Sequence, residues 1–382
     1  MSSLKSDYFF IDSLKKVKQE DWNACVDDDH PFIQYEFLFA LEESESACSQ
    51  TGWKPYHYIE QNDDNDIIAI CPLYLKSHSY GEYIFDHAWA DAYHRHGLNY
   101  YPKLQSAIPF TPVTGERIFI SKKIKNKKDK IKTIINNIIG EAKKLNVSSA
   151  HFNFIKNPNE WDAEEPIMIR EGIQFHWQNN NYKSFDDFLS TLSSRKRKQI
   201  KKERECLKIN NLNVKLLSGD DLQKEDLEFF YECYLDTTGR KWGSTYLKKE
   251  FFMNILNNFK NKVLLMIAYQ DDTKVASALN FLSKTHLYGR LWGSKFEVPY
   301  LHFELCYYQA IDYAIANNIK YVEAGAQGEH KLSRGYLPQK TWSAHWIKEK
   351  DFSSAINKFL NEESKMINHH KKDLEALGPY KS

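Results

Sequence analysis

Apolar residues alternate with polar ones or run together in segments that predict strands, and they recur at helical spacing in segments that predict helices. The predicted strands are 8–11, 53–59, 67–75, 151–155, 262–269, 275–282, 286–292 and 321–324. The predicted helices are 34–45, 89–96, 131–145, 184–188, 194–204, 226–237, 247–259, 301–317 and 353–377. Strands and helices mixed in this way indicate an α/β (α+β) fold.

The elements fall into two groups along the chain. A length of 382 residues is long for one domain, and the strand at 151–155 closes a first α/β group. We therefore predict an N-terminal lobe at 1–160 and a C-terminal lobe at 170–382. The second lobe contains a basic helix at 194–209 and ends in a peripheral helix. Its order of hairpin, strand, helix and strand is similar to the acetyltransferase fold of the GNAT superfamily.

The composition is that of a folded protein, with 42% hydrophobic and 27% charged residues. A net charge of +1 argues against nucleic-acid binding through bulk charge, so any polyanion would have to meet a local patch. The cysteines are scattered without zinc-site spacing, which favours free thiols and no metal. The first ten residues lack a signal-peptide core and no run is long enough to span a bilayer, so we expect a cytoplasmic protein without a transmembrane segment.

One local patch stands out from this balanced charge. The predicted helix at 194–204 carries seven cations within ten residues, and their mutual repulsion weakens an isolated helix. One interpretation is an anionic partner, and the other is a solvated face, which is what most charge runs are. The Lys-rich run at 122–132 is interpreted as a solvated face.

Residues 288–338 concentrate the chemistry of the chain. Glu323 ends a predicted central strand, where sites of α/β proteins commonly gather. Five polar residues follow it in a turn freed by two glycines: Gln327, Glu329, His330, Lys331 and Arg334. His302 and Glu304 lie in the first turn of the preceding helix. The alternatives are an internal salt-bridged loop and, for Glu304, a carboxylate that matches the helix dipole.

Several long strings of sequence carry a family resemblance. They are 72–82, 100–112, 288–293, 301–308, 325–331 and 334–335, together with the basic helix. With these strings the chain resembles the FemAB-like family of N-acyltransferases within the GNAT superfamily. The resemblance implies two GNAT-like lobes in a FemAB-like tandem arrangement. It also implies transfer of an acyl or aminoacyl group to an amine, as in the modification of peptidoglycan precursors.

The resemblance and the residue chemistry together suggest three sets of site residues. The catalytic candidates are Glu329, His330, Glu304 and His302. The substrate-binding candidates are Lys76, His78, Glu82, Tyr101, Lys103, Arg290, Trp292, Gln327, Lys331 and Arg334. The donor-binding candidates are Arg195, Arg197, Lys198 and Lys201.

The partners follow from the same resemblance. The acceptor is expected to bear an amine, as a cell-wall precursor does, and no tightly bound cofactor is expected. The acyl donor stays open among aminoacyl-tRNA, acyl-coenzyme A and acyl carrier protein, with tRNA or the carrier protein meeting the basic helix. Residues 294–300 contain no glycine-rich loop for a pyrophosphate, and the long charged helical hairpin of the Fem transferases is missing from the sequence. The alternative is a non-catalytic GNAT-like module that binds RNA or another anionic partner.

Overall fold

The structure is a computed structural model that describes residues 6–26, 29–242, 245–326 and 328–381. Its strands are β1 (Ser6–Ile11), β2 (Trp53–Pro55), β3 (His57–Asn62), β4 (Ile67–Cys71), β5 (Tyr74–Lys76), β6 (Lys103–Ser106), β7 (Phe119–Ile120), β8 (Ser149–Ile155), β9 (Met168–Gln178), β10 (Leu212–Leu217), β11 (Val263–Gln270), β12 (Thr273–Leu282), β13 (His286–Ser294), β14 (Tyr321–Glu323) and β15 (Leu337–Ile347).

The helices are α1 (Gln19–Cys25), α2 (Tyr35–Glu43), α3 (His87–Arg95), α4 (Lys127–Lys144), α5 (Phe185–Ser190), α6 (Ser194–Arg204), α7 (Cys206–Ile209), α8 (Lys224–Trp242), α9 (Lys249–Phe259), α10 (Leu301–Phe303), α11 (Gln309–Ala316) and α12 (Lys350–Ala376). A π-helical turn, Glu304–Tyr308, joins α10 to α11, and a 3₁₀ turn covers Glu329–Arg334.

The chain forms two compact units. The first comprises Met1–Gly172 and Lys340–His369, and the second comprises Ile173–Gln339 and His370–Ser382. This division differs from the predicted lobes, 1–160 and 170–382, because residues 340–369 belong with the first unit. The cause is strand pairing, since β15 lies antiparallel to β8 from Trp342 opposite Ile155 to Ile347 opposite Ser149.

The first unit has a sheet whose two faces differ in chemistry. Strands β2, β5, β6, β8 and β15 pair in that order, and a separate sheet has the order β1-β3-β4-β7. Along β8 the residues alternate, with Ala150 and Phe152 pointing to an apolar core that isoleucines of α4 complete. On the other face lie Ser149, His151 and Asn153, all buried. This unit therefore contains a buried polar sheet face.

The second unit is built on strands in the order β10-β11-β12-β13-β14-β9. Neighbours are antiparallel except β13 and β14, which are parallel. The helical run from Leu301 to Ala316 packs on one face through Leu305, Tyr308 and Ile311, which belong to the main core cluster. The predicted N-cap of α5 is confirmed, because Ser184 Oγ accepts a hydrogen bond from Asp187 N at 3.1 Å.

Candidate active site

The two parallel strands of the second unit separate at one point. They pair only from His286 opposite Tyr321 to Tyr288 opposite Glu323, after which β14 ends while β13 continues. Immediately beyond this pair the register between β12 and β13 shifts, and Arg290 is the extra residue of the bulge. A bulge next to diverging strands re-aims side chains, so this place is suited to a ligand.

Glu323 is the buried carboxyl group at this place. Its side chain is 8% exposed, and Oε1 lies 3.8 Å from His286 Nε2 and 4.0 Å from His176 Nδ1. Its Oε2 makes no hydrogen bond with any residue that the structure describes. Burial raises the pKa of Glu323 to about 8, although the charge of Arg290 opposes the shift. Burial lowers the pKa of His176 to about 3, so that imidazole stays neutral. Glu323 can therefore exchange a proton near neutral pH.

Lys331 is the buried cation of the turn that follows β14. It is 2% exposed, and its Nζ donates a hydrogen bond to Gly325 O at 2.9 Å. Gly325 has a φ of 80°, a left-handed conformation in which glycine is unstrained. Burial lowers the pKa of Lys331 to about 8, and the charge of Arg290 acts in the same direction. The turn thus holds an amine that titrates in the same range as Glu323.

The second unit also contains an open groove with a volume of about 680 Å³. It is lined by Thr237, Trp292, Ser294, Phe296, Glu297, Val298, Pro299, Tyr300, His302 and Phe303. The ring of His302 meets that of Trp292 edge-on, with centroids 5.3 Å apart. None of these lining residues is Lys or Arg, so the groove favours an aromatic, apolar or cationic group over a phosphate.

Hydrogen bonds and ring contacts connect the groove to the turn. A hydrogen bond of 2.9 Å joins Tyr307 Oη and His330 Nε2, and the Tyr307 ring also contacts His302. Burial lowers the pKa of His330, and the charges of Arg334 and Lys331 lower it further. His330 and His302 are thereby brought to one side of the helical run. Of the four catalytic candidates, these two lie beside the groove.

The two predicted catalytic carboxylates lie elsewhere. Glu329 is exposed, with Oε1 3.4 Å from His370 Nε2. Glu304 is buried in the π-helical turn, where it accepts hydrogen bonds from Arg204 Nη2 at 3.0 Å and from Gln309 Nε2 at 2.8 Å. Glu304 is thus engaged in an internal ion pair.

The predicted substrate-binding residues of the second unit also lie in different places. Arg290, Trp292 and Lys331 line the bulge, the groove and the turn described above. Arg334 is buried and forms a bidentate ion pair with Glu203 of α6, with Nη2 2.9 Å from Oε1. Gln327 lies outside the described residues.

The basic helix forms as predicted, as α6 followed directly by α7. Lys201 Nζ lies 3.5 Å from Asp186 Oδ1. In the described part of the chain, five further cations of α6 have no ion pair or side-chain hydrogen bond: Arg195, Lys196, Arg197, Lys198 and Lys202. The Lys-rich run at 122–132 differs, since Lys123, Lys130 and Lys132 each pair with a carboxylate. The positive charge of α6 is therefore largely unneutralised.

The predicted residues of the first unit gather on its buried polar sheet face. Lys103 Nζ donates to Ser79 Oγ at 2.9 Å and to Glu82 Oε2 at 2.8 Å, and it also pairs with Asp86. Lys76 Nζ lies 3.6 Å from the centre of the Trp53 ring and 3.8 Å from Glu82 Oε1. Burial lowers the pKa of Lys76 to about 7 and raises that of Glu82 to about 7.

Tyr101 and His78 lie at the edge of this cluster. Tyr101 Oη is 2.8 Å from Ser79 Oγ, and His78 Nδ1 accepts a hydrogen bond from Tyr80 N at 3.2 Å. Lys76, Glu82 and Lys103 are almost entirely buried and mainly satisfy one another. Their charges are compensated within the cluster, and the partly exposed Tyr101 and His78 are the members open to a ligand.

A chain of buried hydrogen bonds extends from this cluster. Tyr100 Oη donates to Asp86 Oδ2 at 2.7 Å and lies 3.2 Å from His151 Nε2. His151 Nδ1 lies 2.7 Å from His345 Nδ1, so one ring donates and the other accepts. Burial lowers the pKa of His345 to about 3, which keeps it neutral.

Sequence reasoning missed several residues of the site. Glu323 was noted at its strand end but was not among the catalytic candidates, and His176, His286 and Glu203 were not selected at all. A glutamate closing an apolar strand run is the signal that could have promoted Glu323. The histidines come from strands far apart in sequence, so no local pattern joins them to Glu323.

Two negative findings apply to the described residues. No cluster of His, Cys, Asp and Glu there has the arrangement of a metal site. No helix among them is long and apolar enough to cross a membrane.

Solved structures with a similar fold cover most of the chain. FemX matches with a TM-score of 0.51 and 12% identity, over 89% of this chain and 98% of FemX. The C-terminal domain of a putative lysylphosphatidylglycerol synthetase from Agrobacterium fabrum matches with a TM-score of 0.52 and 7% identity, over 89% and 96%. L-PGS from Bacillus licheniformis matches with a TM-score of 0.50 and 10% identity, over 83% and 92%.

These likenesses establish the fold. The predicted α/β fold with two GNAT-like lobes is confirmed. No curated protein matches the chain significantly. The model of the FemAB_like family, described as peptidoglycan biosynthesis/recognition, matches residues 13–382, and the chain therefore belongs to the FemAB_like family.

Proposed function

We propose that the protein is an N-acyltransferase that moves an acyl or aminoacyl group to an amine of a peptidoglycan precursor. Family membership supports the class of reaction and the class of acceptor. The observation that carries the proposal is Glu323, a buried carboxyl group with a pKa of about 8 where β13 and β14 separate. Acyl transfer to an amine needs such a base, because only the neutral amine attacks.

The residues around Glu323 suggest a division of labour. Glu323 accepts a proton from the acceptor's ammonium group, and the freed amine attacks the carbonyl carbon of the donor. Arg290 and Lys331 supply positive charge for the oxyanion that develops. The C–N bond forms and the C–O or C–S bond to the donor breaks, while the nitrogen loses a second proton. One of the two protons goes to the departing oxygen or sulfur and the other goes to solvent.

The donor is proposed to meet two surfaces of the second unit. The groove lined by Trp292, Phe296 and Tyr300 takes the acyl or aminoacyl group, since aromatic rings favour apolar and cationic groups. The unneutralised cations of α6 take the anionic body of the donor. This arrangement favours aminoacyl-tRNA or an acyl carrier protein over coenzyme A, because the described residues that line the groove include no Lys or Arg for its pyrophosphate.

The test is transfer of label. The protein is incubated separately with labelled aminoacyl-tRNA, acyl-coenzyme A and acyl carrier protein, each with an amine-bearing cell-wall precursor. We expect one donor to lose its label to the amine, and Glu323→Gln to lower that rate by about 10²–10⁴-fold. If Glu329→Gln abolishes transfer and Glu323→Gln does not, the base is wrongly assigned. Transfer from none of the three donors would overturn the proposal.

A second candidate is a non-catalytic module that holds RNA or another polyanion. The unneutralised cations of α6 favour it. In that case Arg195→Glu with Arg197→Glu abolishes binding and cellular activity, while Glu323→Gln leaves both intact. Loss of cellular activity with Glu323→Gln alone would exclude it.

A further inference from the structure

The inner side of α6 is connected to the candidate active site by two adjacent residues. Glu203 and Arg204 point inward from the helix whose outer cations are unneutralised, and each makes a bidentate ion pair with a different segment. Bidentate pairs between guanidinium and carboxylate fix orientation as well as distance. The position of α6 is therefore tied to two segments of the site.

The first connection runs to the turn Glu329–Arg334. Arg334 Nε and Nη2 lie 3.1 Å and 2.9 Å from Glu203 Oε2, and both side chains are almost fully buried. Arg334 Nη1 also donates to His330 O at 2.7 Å, and its guanidinium lies 3.5 Å from the centre of the Phe303 ring. One side chain thus touches α6, the backbone of the turn and the wall of the groove.

The second connection runs to the π-helical turn. Arg204 Nη2 donates to Glu304 Oε1 at 3.0 Å and also lies 2.7 Å from Asp312 Oδ2 on α11. Tyr308, at the end of the same π-helical turn, donates its hydroxyl hydrogen to Glu203. The π-helical turn, which carries Tyr307, is thus held to α6 at both ends.

We infer that Glu203 and Arg334 are positioning residues that hold the turn bearing His330 and Lys331 in register with the helix that meets the anionic part of the donor. The inference rests on the proposed function for its kinetic part. Neither residue needs to touch the substrate. Glu203 orients Arg334, and Arg334 fixes the His330 carbonyl and the Phe303 ring.

The same ion pairs also connect the charged helix α6 to residues of the candidate site. A buried ion pair is either formed or broken, because breaking it leaves an uncompensated charge in the protein interior. A donor whose phosphates neutralise the outer cations relieves repulsion along α6 without disturbing the inner pairs. The turn is therefore expected to be most ordered when the donor is bound.

The test compares four variants of the full chain. Glu203→Gln and Arg334→Lys each weaken the pair, and Glu203→Arg with Arg334→Glu reverses it. Glu363→Gln is the matched control, since it breaks another bidentate pair, Arg170 Nη2 to Glu363 Oε1 at 2.7 Å, in the first unit. We expect Glu203→Gln and Arg334→Lys to lower kcat by about tenfold or more, while KM for the donor changes by about twofold or less.

Two further results are expected from the kinetic measurements. We expect the reversed pair to stay low in kcat, because a glutamate at position 334 cannot donate to His330 O, and Glu363→Gln to behave like the unaltered protein. If Glu203→Gln lowers kcat no more than Glu363→Gln does, or raises KM alone, the positioning role is wrong. A reversed pair that folds, as judged by its thermal unfolding, and recovers the full kcat also counts against it.

A second measurement does not depend on catalysis. Amide hydrogen exchange reports the backbone amides of Lys331, Gly335 and Tyr336, which bond within the turn. We expect these amides to exchange about tenfold faster in Glu203→Gln and more slowly when deacylated tRNA is added to the unaltered protein. Unchanged exchange in Glu203→Gln overturns the inference even if the enzyme is active. Faster exchange without any label transfer would retain the inference and reject the proposed function.

Discussion

Glu323 shows how burial alone can prepare a carboxyl group for base catalysis. Because the folded pKa of about 8 lies above the ordinary value of 4.5, the folded protein prefers the protonated form. The stability that this preference contributes is complete below pH 4.5 and is lost as the pH rises to 8. The loss amounts to about 1.4 kcal/mol for each pH unit in that window. The site therefore has a stability cost at the pH where it would work.

The first prediction concerns the pH dependence of transfer. The rate should rise with pH as Glu323 loses its proton and fall above about 8 as Lys331 loses its own, giving a bell centred near pH 8. Lys331→Met should lower the rate and remove the alkaline fall. A profile of kcat/KM from pH 6 to 10 checks this.

The stability of Glu323→Gln provides the control for that experiment. This variant should unfold at a higher temperature than the unaltered protein at pH 9 and at nearly the same temperature at pH 4.5. If the variant and the unaltered protein were equally stable at both pH values, Glu323 would not be buried as described.

The second prediction concerns the buried cluster of the first unit. Lys103→Met leaves Glu82 and Asp86 inside the protein without their main cation, and should lower the free energy of unfolding by about 3–5 kcal/mol. Lys123→Met removes an exposed pair with Asp66 and should cost less than about 1 kcal/mol. Urea unfolding measures both. Similar losses for the two variants would contradict the burial of Lys103.

Residue identity was predicted better than residue role. The sequence selected Lys76, Glu82 and Lys103 together, because short polar runs between apolar strands are visible locally. It could not show that these residues satisfy one another, since Glu82 and Lys103 lie 21 positions apart and meet only in the folded chain. Glu304 and Arg334 were selected for the same local reasons, and their partners on α6 lie 100 and 131 positions away.

At the scale of elements, close packing between α8 and β13 depends on one glycine. A Cβ built on Gly293 would lie 2.2 Å from Cys233 O, a backbone atom that cannot move by itself. Gly293 thus lets the helix approach the strand whose next residues form the groove. The motif that contains it, 288–293, was singled out in the sequence without this reason.

The third prediction uses this contact. Gly293→Ala should force α8 and β13 apart, lower the unfolding temperature and weaken binding in the groove. The matched substitution is Gly140→Ala in α4, where a Cβ meets nothing within 4 Å. It should stabilise the protein by about 1 kcal/mol, because alanine is a better helix former. Thermal unfolding should give shifts of opposite sign, and two shifts of the same sign would reject the explanation.

Most regular elements were predictable because each has its own apolar pattern. The strands β3, β4, β8 and β11 to β14 and the helices α2 to α6, α8, α9 and α12 appear close to their predicted ranges. The strands β9, β10 and β15 were missed. In β15, Ser343, Ala344, His345 and Trp346 alternate as in a strand, and all four are buried, with Ser343 and His345 on the buried polar face.

At the scale of the whole molecule, positive and negative charges nearly cancel, but they are unevenly distributed along the chain. The net charge is +1, yet among the described residues five of the seven cations of α6 have no ion pair, while Lys123, Lys130 and Lys132 of the run at 122–132 each pair with an acid. Net charge alone therefore could not separate a solvated face from a binding face. Local pairing, which depends on the folded chain, distinguishes these three lysines from the cations of α6.

The fourth prediction follows from that difference. Binding of a single-stranded oligouridylate should weaken with salt, and Arg195→Ala with Lys198→Ala should reduce the slope of log K against log salt by about 1.4. Lys123→Ala with Lys132→Ala removes two cations that already have acidic partners and should leave the slope unchanged. Titrations at several salt concentrations measure it. Equal effects of the two double variants would assign the binding to total charge and not to α6.

The π-helical turn at Glu304–Tyr308 has a consequence for comparing this chain with its relatives. A π turn holds one more residue than an α turn, so the helical run from Leu301 to Ala316 is one residue longer than an α-helix with the same ends. A relative whose helix is entirely α should therefore align with a one-residue gap within 304–308. If the gap is placed elsewhere, the alignment shifts His302 or Tyr308 by one residue. One residue corresponds to a rotation of about 100° about the helix axis, so the alignment would equate residues that face different directions.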